Sequence, residues 1–470
     1  MGAALNMANV MAQNSSLTPV PTLVVGLGQT GLSCARFLEQ HDVPFAVTDS
    51  REQPPGVDAL RAELSSVEVV LGGFDEKQFG WAKRLVVSPG ISLSEPLIVD
   101  AQRRGVEIIG DIELFAHVAQ APIVAITGSN GKSTVTALLG EMAKTAGWDV
   151  RVGGNIGTPA LELLTENEPD LYVLELSGFQ MDTTHSLHAA AVVVLNISPD
   201  HMDRYSDLAH YVASKKRIYS DAGLSQQGVA VFNRDDPQVV EMLADGVPQQ
   251  KISFGLDAPE PSQFGRISQD SELWLACGTQ ALIPAAQVKM AGRHAQSNVL
   301  AALALGKAVG LPMEAMLATL KTFAGLPHRT QFVAKIDEVR WINDSKGTNV
   351  GATLAAVQGL TGPLILIAGG QGKGADFSPL ASAVKDKVRS IILLGEDAAL
   401  IEKALADAAP VLRVSSMEEA VAQAQSLAQP GDTVLLSPAC ASFDMFSGFV
   451  ERGEAFMTAV HHLSSVKGGA

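Results

Sequence analysis

Cysteine is scarce: Cys34, Cys277 and Cys440 are the only three in 470 residues. They are too few and too widely spaced for a disulfide framework or a thiolate metal site, and they suit a reducing compartment. Long apolar runs are missing as well. None approaches the roughly 18 residues that a membrane span needs. The small, polar residues 1–19 lack the basic and apolar regions of a secretory leader. Positive charge is also in short supply, with 34 Lys and Arg against 50 Asp and Glu and a formal net charge of -16. That balance argues against nucleic-acid or anionic-membrane partners, so an anionic substrate must be met by local cations. Residues 1–20 are expected to be a disordered extension, and the protein cytoplasmic. With no exposed apolar stripe evident, the default expectation is a monomer.

What is present is organised around residues 121–136, APIVAITGSNGKSTVT. An apolar run at 123–126 reads as a buried parallel strand, a glycine-rich turn follows, and an apolar helix begins after Gly131-Lys132-Ser133-Thr134. Strand, glycine loop and helix N-terminus together make a phosphate cradle of backbone N–H groups and partial positive charge. Lys132 would reach the terminal phosphates, and a Ser133 or Thr134 hydroxyl would reach Mg²⁺. The first glycine of the general pattern is replaced by Ile126, so the turn is expected to begin at Gly128.

Ahead of it, a strand at 22–25 leads into Gly26-Leu27-Gly28-Gln29-Thr30-Gly31, a helix at 32–40, and a second strand ending near Asp49 and Arg51. This pattern serves dinucleotides, other diphosphate ligands or close helix packing. Strands at 67–71, 84–87 and 106–108 complete a small parallel α/β unit ending near Gly110. Beyond the phosphate loop, the buried strand 171–176 (LYVLEL) carries one carboxylate, Glu175, which is costly unless paired or bound to metal. The strand 190–195 ends in NISPDHMDRY, where His201 stands open to a metal or nucleotide role. Lys215-Lys216-Arg217 reads as a solvated charge run. Residues 228–285 read as strands and turns without a periodic helix, forming a small antiparallel element, and helices follow at 297–309 and 313–323.

The expected fold is α/β with three domains: 21–110 Rossmann-like, 111–325 P-loop ATPase-like with a mostly parallel sheet, and 326–470 Rossmann-like. In the third, polar loops NDSKGTN, GGQGKGAD and SPACASFD each follow a strand, the edge where open α/β sheets place their sites. One phosphate loop, several basic loops and no hydride-transfer constellation suggest that ATP activates a carboxylate for attack by an amine. Such chemistry needs Mg²⁺, cations and closure against water.

The run TGSNGKST, then LELSGFQ, NISPDHMDRY, ASKKRIY, GLPHR, INDSKGTNV, GGQGKGADF and SPACASFD resembles the Mur ligases over nearly the whole chain. The related folylpolyglutamate synthetases share the phosphate loop but lack the N-terminal domain and its GLGQTG entrance. The resemblance implies ATP-dependent joining of D-glutamate to UDP-N-acetylmuramoyl-L-alanine through an acyl phosphate, with two Mg²⁺ sites. It implies that Gln29, Thr30, Asp49, Arg51, Gly73, Asn155 and His201 hold the UDP substrate. Gly128, Ser129, Asn130, Gly131, Lys132, Ser133, Thr134, Asn298, Arg329 and Asp344 would hold ATP, and Lys346, Thr348, Lys373, Ser442 and Phe449 would hold D-glutamate. Lys132, Glu175, His201 and Lys215 would be catalytic, with Ser133, Glu175, His201 and Lys215 at the metals. The resemblance implies that Lys215 is a carbamate rather than a solvated cation. Ala295 departs from the polar residue some relatives carry there.

Overall fold

The computed structural model describes residues 18–244, 250–290 and 292–467. All but the last three residues of the expected 1–20 extension lie outside them. Three sheets follow one another along the chain. Strands β1 (Thr22–Val25), β2 (Phe45–Asp49), β3 (Val69–Leu71), β4 (Arg84–Val87) and β5 (Glu107–Ile109) form the first, in the order β3-β2-β1-β4-β5. Every pair in it is parallel. Its helices are α1 (Gln29–Gln40), α2 (Val57–Glu63), α3 (Glu76–Trp81) and α4 (Pro96–Arg103). Helix α1 starts at Gln29, three residues before the expected 32, with Gly28 as its N-cap, so the second half of the glycine pattern is already helical.

The second sheet has nine strands. In chain order they are β6 (Ile123–Thr127), β7 (Val150–Gly154), β8 (Leu171–Glu175), β9 (Ala189–Val194), β10 (Leu224–Asn233), β11 (Gln250–Phe254), β12 (Phe264–Gln269), β13 (Glu272–Cys277) and β14 (Gln280–Pro284). Their spatial order is β14-β13-β12-β11-β10-β9-β6-β8-β7. Helices α5 (Asp111–Ala116), α6 (Lys132–Thr145), α7 (Gly178–Asp182), α8 (Leu208–Lys216), α9 (Pro237–Met242), α10 (Arg293–Ala308) and α11 (Met313–Leu320) cover it. The antiparallel element expected over 228–285 is confined to its last strands: β10, β11 and β12 extend the parallel sheet, and only the pairs β12–β13 and β13–β14 are antiparallel. A helix, α9, is also present; it is too short for periodicity to reveal, and Asp236 caps it at Gln238 N–H, with Pro237 opening it.

The third sheet runs β15-β16-β20-β17-β18-β19, from β15 (Gln331–Ile336), β16 (Val339–Asn343), β17 (Leu364–Gly369), β18 (Val388–Leu394), β19 (Val411–Arg413) and β20 (Thr433–Leu436). The edge strand β15 pairs antiparallel with β16, and the other pairs are parallel. Helices α12 (Val350–Gly359), α13 (Leu380–Lys387), α14 (Ala398–Leu405), α15 (Met417–Leu427) and α16 (Phe449–Lys467) flank it.

The central strands β1, β6 and β17 are buried at every position. Parallel strands covered by helices on both faces read as continuous apolar runs for this reason. One apolar cluster joins Val24, Phe37 and Leu38 of the first sheet's unit to Phe115, Tyr172 and Met181 of the second. The first two units therefore share a core. Among the described residues no helix is long and apolar enough to cross a membrane.

Candidate active site

The phosphate loop lies between β6 and α6. Ile126 sits inside β6, where its carbonyl accepts from Leu176 N–H at 2.9 Å, so the chain cannot turn where the general pattern puts its first glycine. Gly131 caps α6 with φ +85°, and a Cβ there would run into Asn298 of α10. Only glycine fits both constraints. Lys132 folds back to donate to the carbonyls of Gly128 (2.8 Å) and Ser129 (3.0 Å). Burial lowers its pKa, with Glu175 and Asp200 opposing and Arg329 adding to the shift. Ser133 and Thr134 are buried in the first turn of the helix.

Glu175 ends β8, in register with Ile126 of β6. Its Oε1 accepts from Asn155 Nδ2 at 2.9 Å, while its buried Oε2 has no hydrogen-bond partner among the described residues. A bare buried carboxylate oxygen is costly, and a divalent cation would complete it. Among the described residues no three His, Cys, Asp or Glu side chains form a metal cage. Mg²⁺ rarely has one, since it keeps waters and shares substrate phosphates with one or two carboxylates. The donors present, a carboxylate, the Ser133 hydroxyl and the phosphate loop, therefore fit Mg²⁺.

Lys215 lies at the end of α8, 3% exposed, with its ammonium 4.6 Å above the Tyr211 ring. Burial, helped by Lys132, pushes its pKa down to about 7. The reading of 215–217 as a solvated run fails here: Lys215 is inside, and Arg217 donates to the carbonyls of Met181 and Thr184 at 2.8 Å. His201 adopts φ +56° on the loop after β9 and meets Phe179 edge-on at 5.3 Å. Desolvation lowers its pKa; Asp200 opposes this, and the charges of Lys373 and Lys132 assist it.

The third sheet brings its loops to the same place. Arg329 feels Glu175 and Asp344, and Lys346 feels Arg329, Lys132 and Glu175. The Lys346 ammonium stands 4.3 Å from the Phe449 ring. Loss of water, reinforced by those cations, brings it down to about 8. Asp344 is buried, accepts from Ser437 Oγ (2.7 Å) and Thr330 N–H (3.0 Å), and burial raises it to about 6. Thr348 N–H donates to the Lys346 carbonyl at 2.8 Å. Ser442 is buried at the head of its loop, whereas Lys373 is exposed with φ +52° and reaches the site through its charge.

The other candidate residues lie at the C-terminal ends of β1, β2 and β3 of the first sheet. Asp49 accepts from Leu27 N–H (2.6 Å), Arg51 N–H (2.9 Å), Arg51 Nε (2.8 Å) and Arg51 Nη2 (2.7 Å). Burial works to raise its pKa, and these bonds prevail and lower it. Both oxygens thus hold its own loop in shape. Gly72 N–H donates to the Arg51 carbonyl at 3.1 Å, placing Gly73 alongside, and Gln29 and Thr30 open α1 opposite. Arg204 links the first sheet's unit to the second, donating to the carbonyls of Gly90 and Ile91 at 3.0 Å and lying 4.6 Å over Phe179.

Sequence reasoning missed Arg204, Asn349 and Arg452. Arg452 is 2% exposed and donates to Ser345 Oγ (3.0 Å) and to the carbonyls of Ser345 (2.8 Å), Cys440 (3.1 Å), Ala441 (3.3 Å) and Gly369 (3.5 Å). It ties the three polar loops of the third sheet together. The signal was its spacing, three after Phe449 and four before the buried Phe456, which puts an arginine on the inward face of α16.

Family models match the chain in three consecutive parts: a MurD-like Mur ligase N-terminal domain over 21–110, a Mur ligase middle domain over 126–306, and a Mur ligase glutamate ligase domain over 328–440. The chain belongs to the Mur ligase family. As a Mur ligase it is an ATP-dependent, amide-bond-forming enzyme of peptidoglycan precursor synthesis, and the family uses ATP and Mg²⁺. It is 52% identical over 446 residues (94% of this chain, 97% of the relative) to the UDP-N-acetylmuramoylalanine--D-glutamate ligase of Nitrosococcus oceani. It is 53% identical over 445 residues (94% and 98%) to the ligase of the same name from Marinobacter nauticus. Among solved structures, MurF from Acinetobacter baumannii superimposes with a TM-score of 0.57 at 18% identity, covering 93% of this chain and 90% of that one. MurC from Thermotoga maritima gives 0.55 at 16%, covering 95% and 99%. These two share the three-domain α/β fold.

Proposed function

We propose that this Mur ligase joins D-glutamate to UDP-N-acetylmuramoyl-L-alanine at the expense of ATP, releasing ADP and phosphate, as a cytoplasmic monomer. The observation that carries the reading is that Lys132 and Glu175 of the second unit and Arg329 and Lys346 of the third lie close enough to feel one another's charge beside the phosphate loop. Full-length likeness to D-glutamate ligases supports the choice of amino acid.

In this reading Gln29, Thr30, the loop ordered by Asp49 and Arg51, and Gly73 hold the UDP group. Asn155 and His201 face the alanyl carboxylate. Gly128 to Thr134, with Asn298, Arg329 and Asp344, hold ATP, and Lys132 withdraws negative charge from the γ-phosphate. The alanyl carboxylate takes the γ-phosphoryl group and ADP leaves. The D-glutamate amine then attacks the acyl phosphate, the C–N bond forms, and phosphate departs. Lys346, Thr348, Lys373, Ser442 and the Phe449 ring orient D-glutamate, the lysines meeting its carboxylates. Ser133, Glu175, His201 and a carbamylated Lys215 would hold Mg²⁺ at two sites, and the metal would neutralise phosphate charge. With its pKa near 7, Lys215 has a large neutral fraction at physiological pH. Only the neutral amine adds CO₂, losing a proton as the carbamate forms.

The test is phosphate release from ATP and Mg²⁺ with UDP-N-acetylmuramoyl-L-alanine, comparing D-glutamate with L-glutamate, L-lysine and meso-diaminopimelate. Release that requires D-glutamate is the expected result. Release with another amino acid instead would refute the assigned specificity.

A further inference from the structure

We propose that Asn349 is a positioning residue that seats the amino-acid loop on the phosphate loop, with Gly351 as the flat surface on which the seat closes. The inference rests on the ligase reading above and extends it to a residue outside the assigned substrate contacts.

The carboxamide of Asn349 has one acceptor and two donor hydrogens, and each end does a different job. Its Oδ1 accepts from Ala352 N–H at 2.8 Å, capping α12. Its Nδ2 donates to Asn130 Oδ1 of the phosphate loop at 3.2 Å and to Asp200 Oδ2, next to His201, at 3.0 Å. Both acceptors belong to the second sheet's unit, while Asn349 follows Lys346 and Thr348 on the third. The two acceptor loops are already bound to each other. Asn130 N–H donates to Asn196 Oδ1 at 2.8 Å, Asn130 Nδ2 to Ser198 Oγ at 3.1 Å, and Ser129 Oγ to the Ser198 carbonyl at 2.9 Å. Asn349 therefore meets a preformed surface.

Gly351 supplies an independent observation of the same seam. It lies in the first turn of α12 without a left-handed backbone, so its conformation suits any residue. A Cβ there would come 2.6 Å from Ser198 Oγ and 3.4 Å from Asn130 Nδ2. The glycine is required by what lies across the seam, not by its own helix. Alanine would favour the helix while pushing the two units apart. The distance between Lys132 and Lys346, hence between the acyl phosphate and the incoming amine, is set by this contact.

The experiment compares Asn349→Ser, Gly351→Ala and the double variant in full-length protein, by initial rates of phosphate release and by thermal unfolding. Serine keeps the cap but cannot also donate to both partners. Losing two hydrogen bonds predicts about a tenfold rise in KM for D-glutamate in Asn349→Ser. Gly351→Ala should match it with an unchanged or higher melting temperature, and KM for the UDP substrate should stay within about twofold. Because both act on one seam, the double variant should lose little more than either single variant. Wild-type KM for D-glutamate in both single variants would overturn the proposal, as would activity losses that only track falling melting temperatures. A wild-type enzyme silent with every amino acid would remove the ligase reading itself, whereas an active wild type with unaltered variants removes this inference alone.

Discussion

Replacing Arg452 separates two opposed energies. Arg452→Met removes the donors to the buried carbonyls of Ser345 and Cys440; Ala441 O keeps a bond from Gln371 N–H at 3.0 Å. Two orphaned carbonyls at about 1–3 kcal/mol each cost about 2–6 kcal/mol. Against this, the guanidinium is buried with no carboxylate in ion-pair contact among the described residues, and desolvation lowers it from 12.5 to about 10. At about 1.4 kcal/mol per pKa unit, removing that charge returns about 3 kcal/mol. The net change then runs from a gain of about 1 kcal/mol to a loss of about 3 kcal/mol, at most a fall in melting temperature of about 10 °C for a unit of this size. Arg452→Lys should be less stable than Arg452→Met, because it keeps a buried charge and loses the planar fork that reaches several carbonyls at once. Both variants should raise KM for D-glutamate by about tenfold or more, since the loops of Lys346, Lys373 and Ser442 lose their common anchor. Differential scanning calorimetry and phosphate-release kinetics read the two effects. A lysine variant as stable as wild type, or a methionine variant with unchanged KM for D-glutamate, would refute the reasoning.

Lys132→Ala should abolish turnover while leaving the UDP substrate bound, measurable by calorimetric titration; near-normal turnover would sink the phosphate-loop assignment. Lys215→Ala should be nearly inactive and partly rescued by added short carboxylates, which supply the missing anion. Full activity without them would exclude a carbamate role. Glu113, beside the seam of the first two units, gives a pH prediction. Burial works to raise its pKa, but His117, Ser186 and the N–H groups of His185 and Ser186 bring it down to about 2. A lowered carboxylate pKa contributes stability above the unfolded value, lost as pH falls through the folded one. Wild type should therefore exceed Glu113→Gln by about 3 kcal/mol near neutrality, and the gap should close between about pH 4.5 and 2. Neighbouring Asp111, raised to about 6 by burial, has the opposite sign, gaining stability as pH falls through 6, and it cancels in that difference. A gap independent of pH would show that Glu113 acts through shape alone.

Legibility in the sequence followed burial. Strands covered on both faces, such as 22–25, 123–127 and 364–369, are continuous apolar runs and were placed within a residue or two. Half-exposed elements carry no such signature. The edge strand β15 has no fully buried position, and the short helices α2, α3 and α9 turn too few times to show a period. The boundary between parallel and antiparallel strands after β12 depends on which neighbour each strand finds, and local composition does not encode that.

The site divides the same way. Gly131, Lys132 and Glu175 announced themselves because each is anomalous where it stands: a left-handed glycine, a lysine opening a helix, a carboxylate in an apolar strand. Lys215 was legible only through the family resemblance, because nothing local distinguishes it from Lys216; its value lies in burial and in the nearby charge of Lys132. Of Arg452 only the inward-facing position on α16 was legible; its partners, like those of Asn349, were not, for a further reason. The work of both residues consists of bonds to backbone carbonyls and to loops more than a hundred residues away, which leave no mark on neighbouring residue types. Residues that touch substrate are chosen for their chemistry and can be read one at a time. Residues that hold those chemistries together are chosen for distance, and only a fold supplies distances.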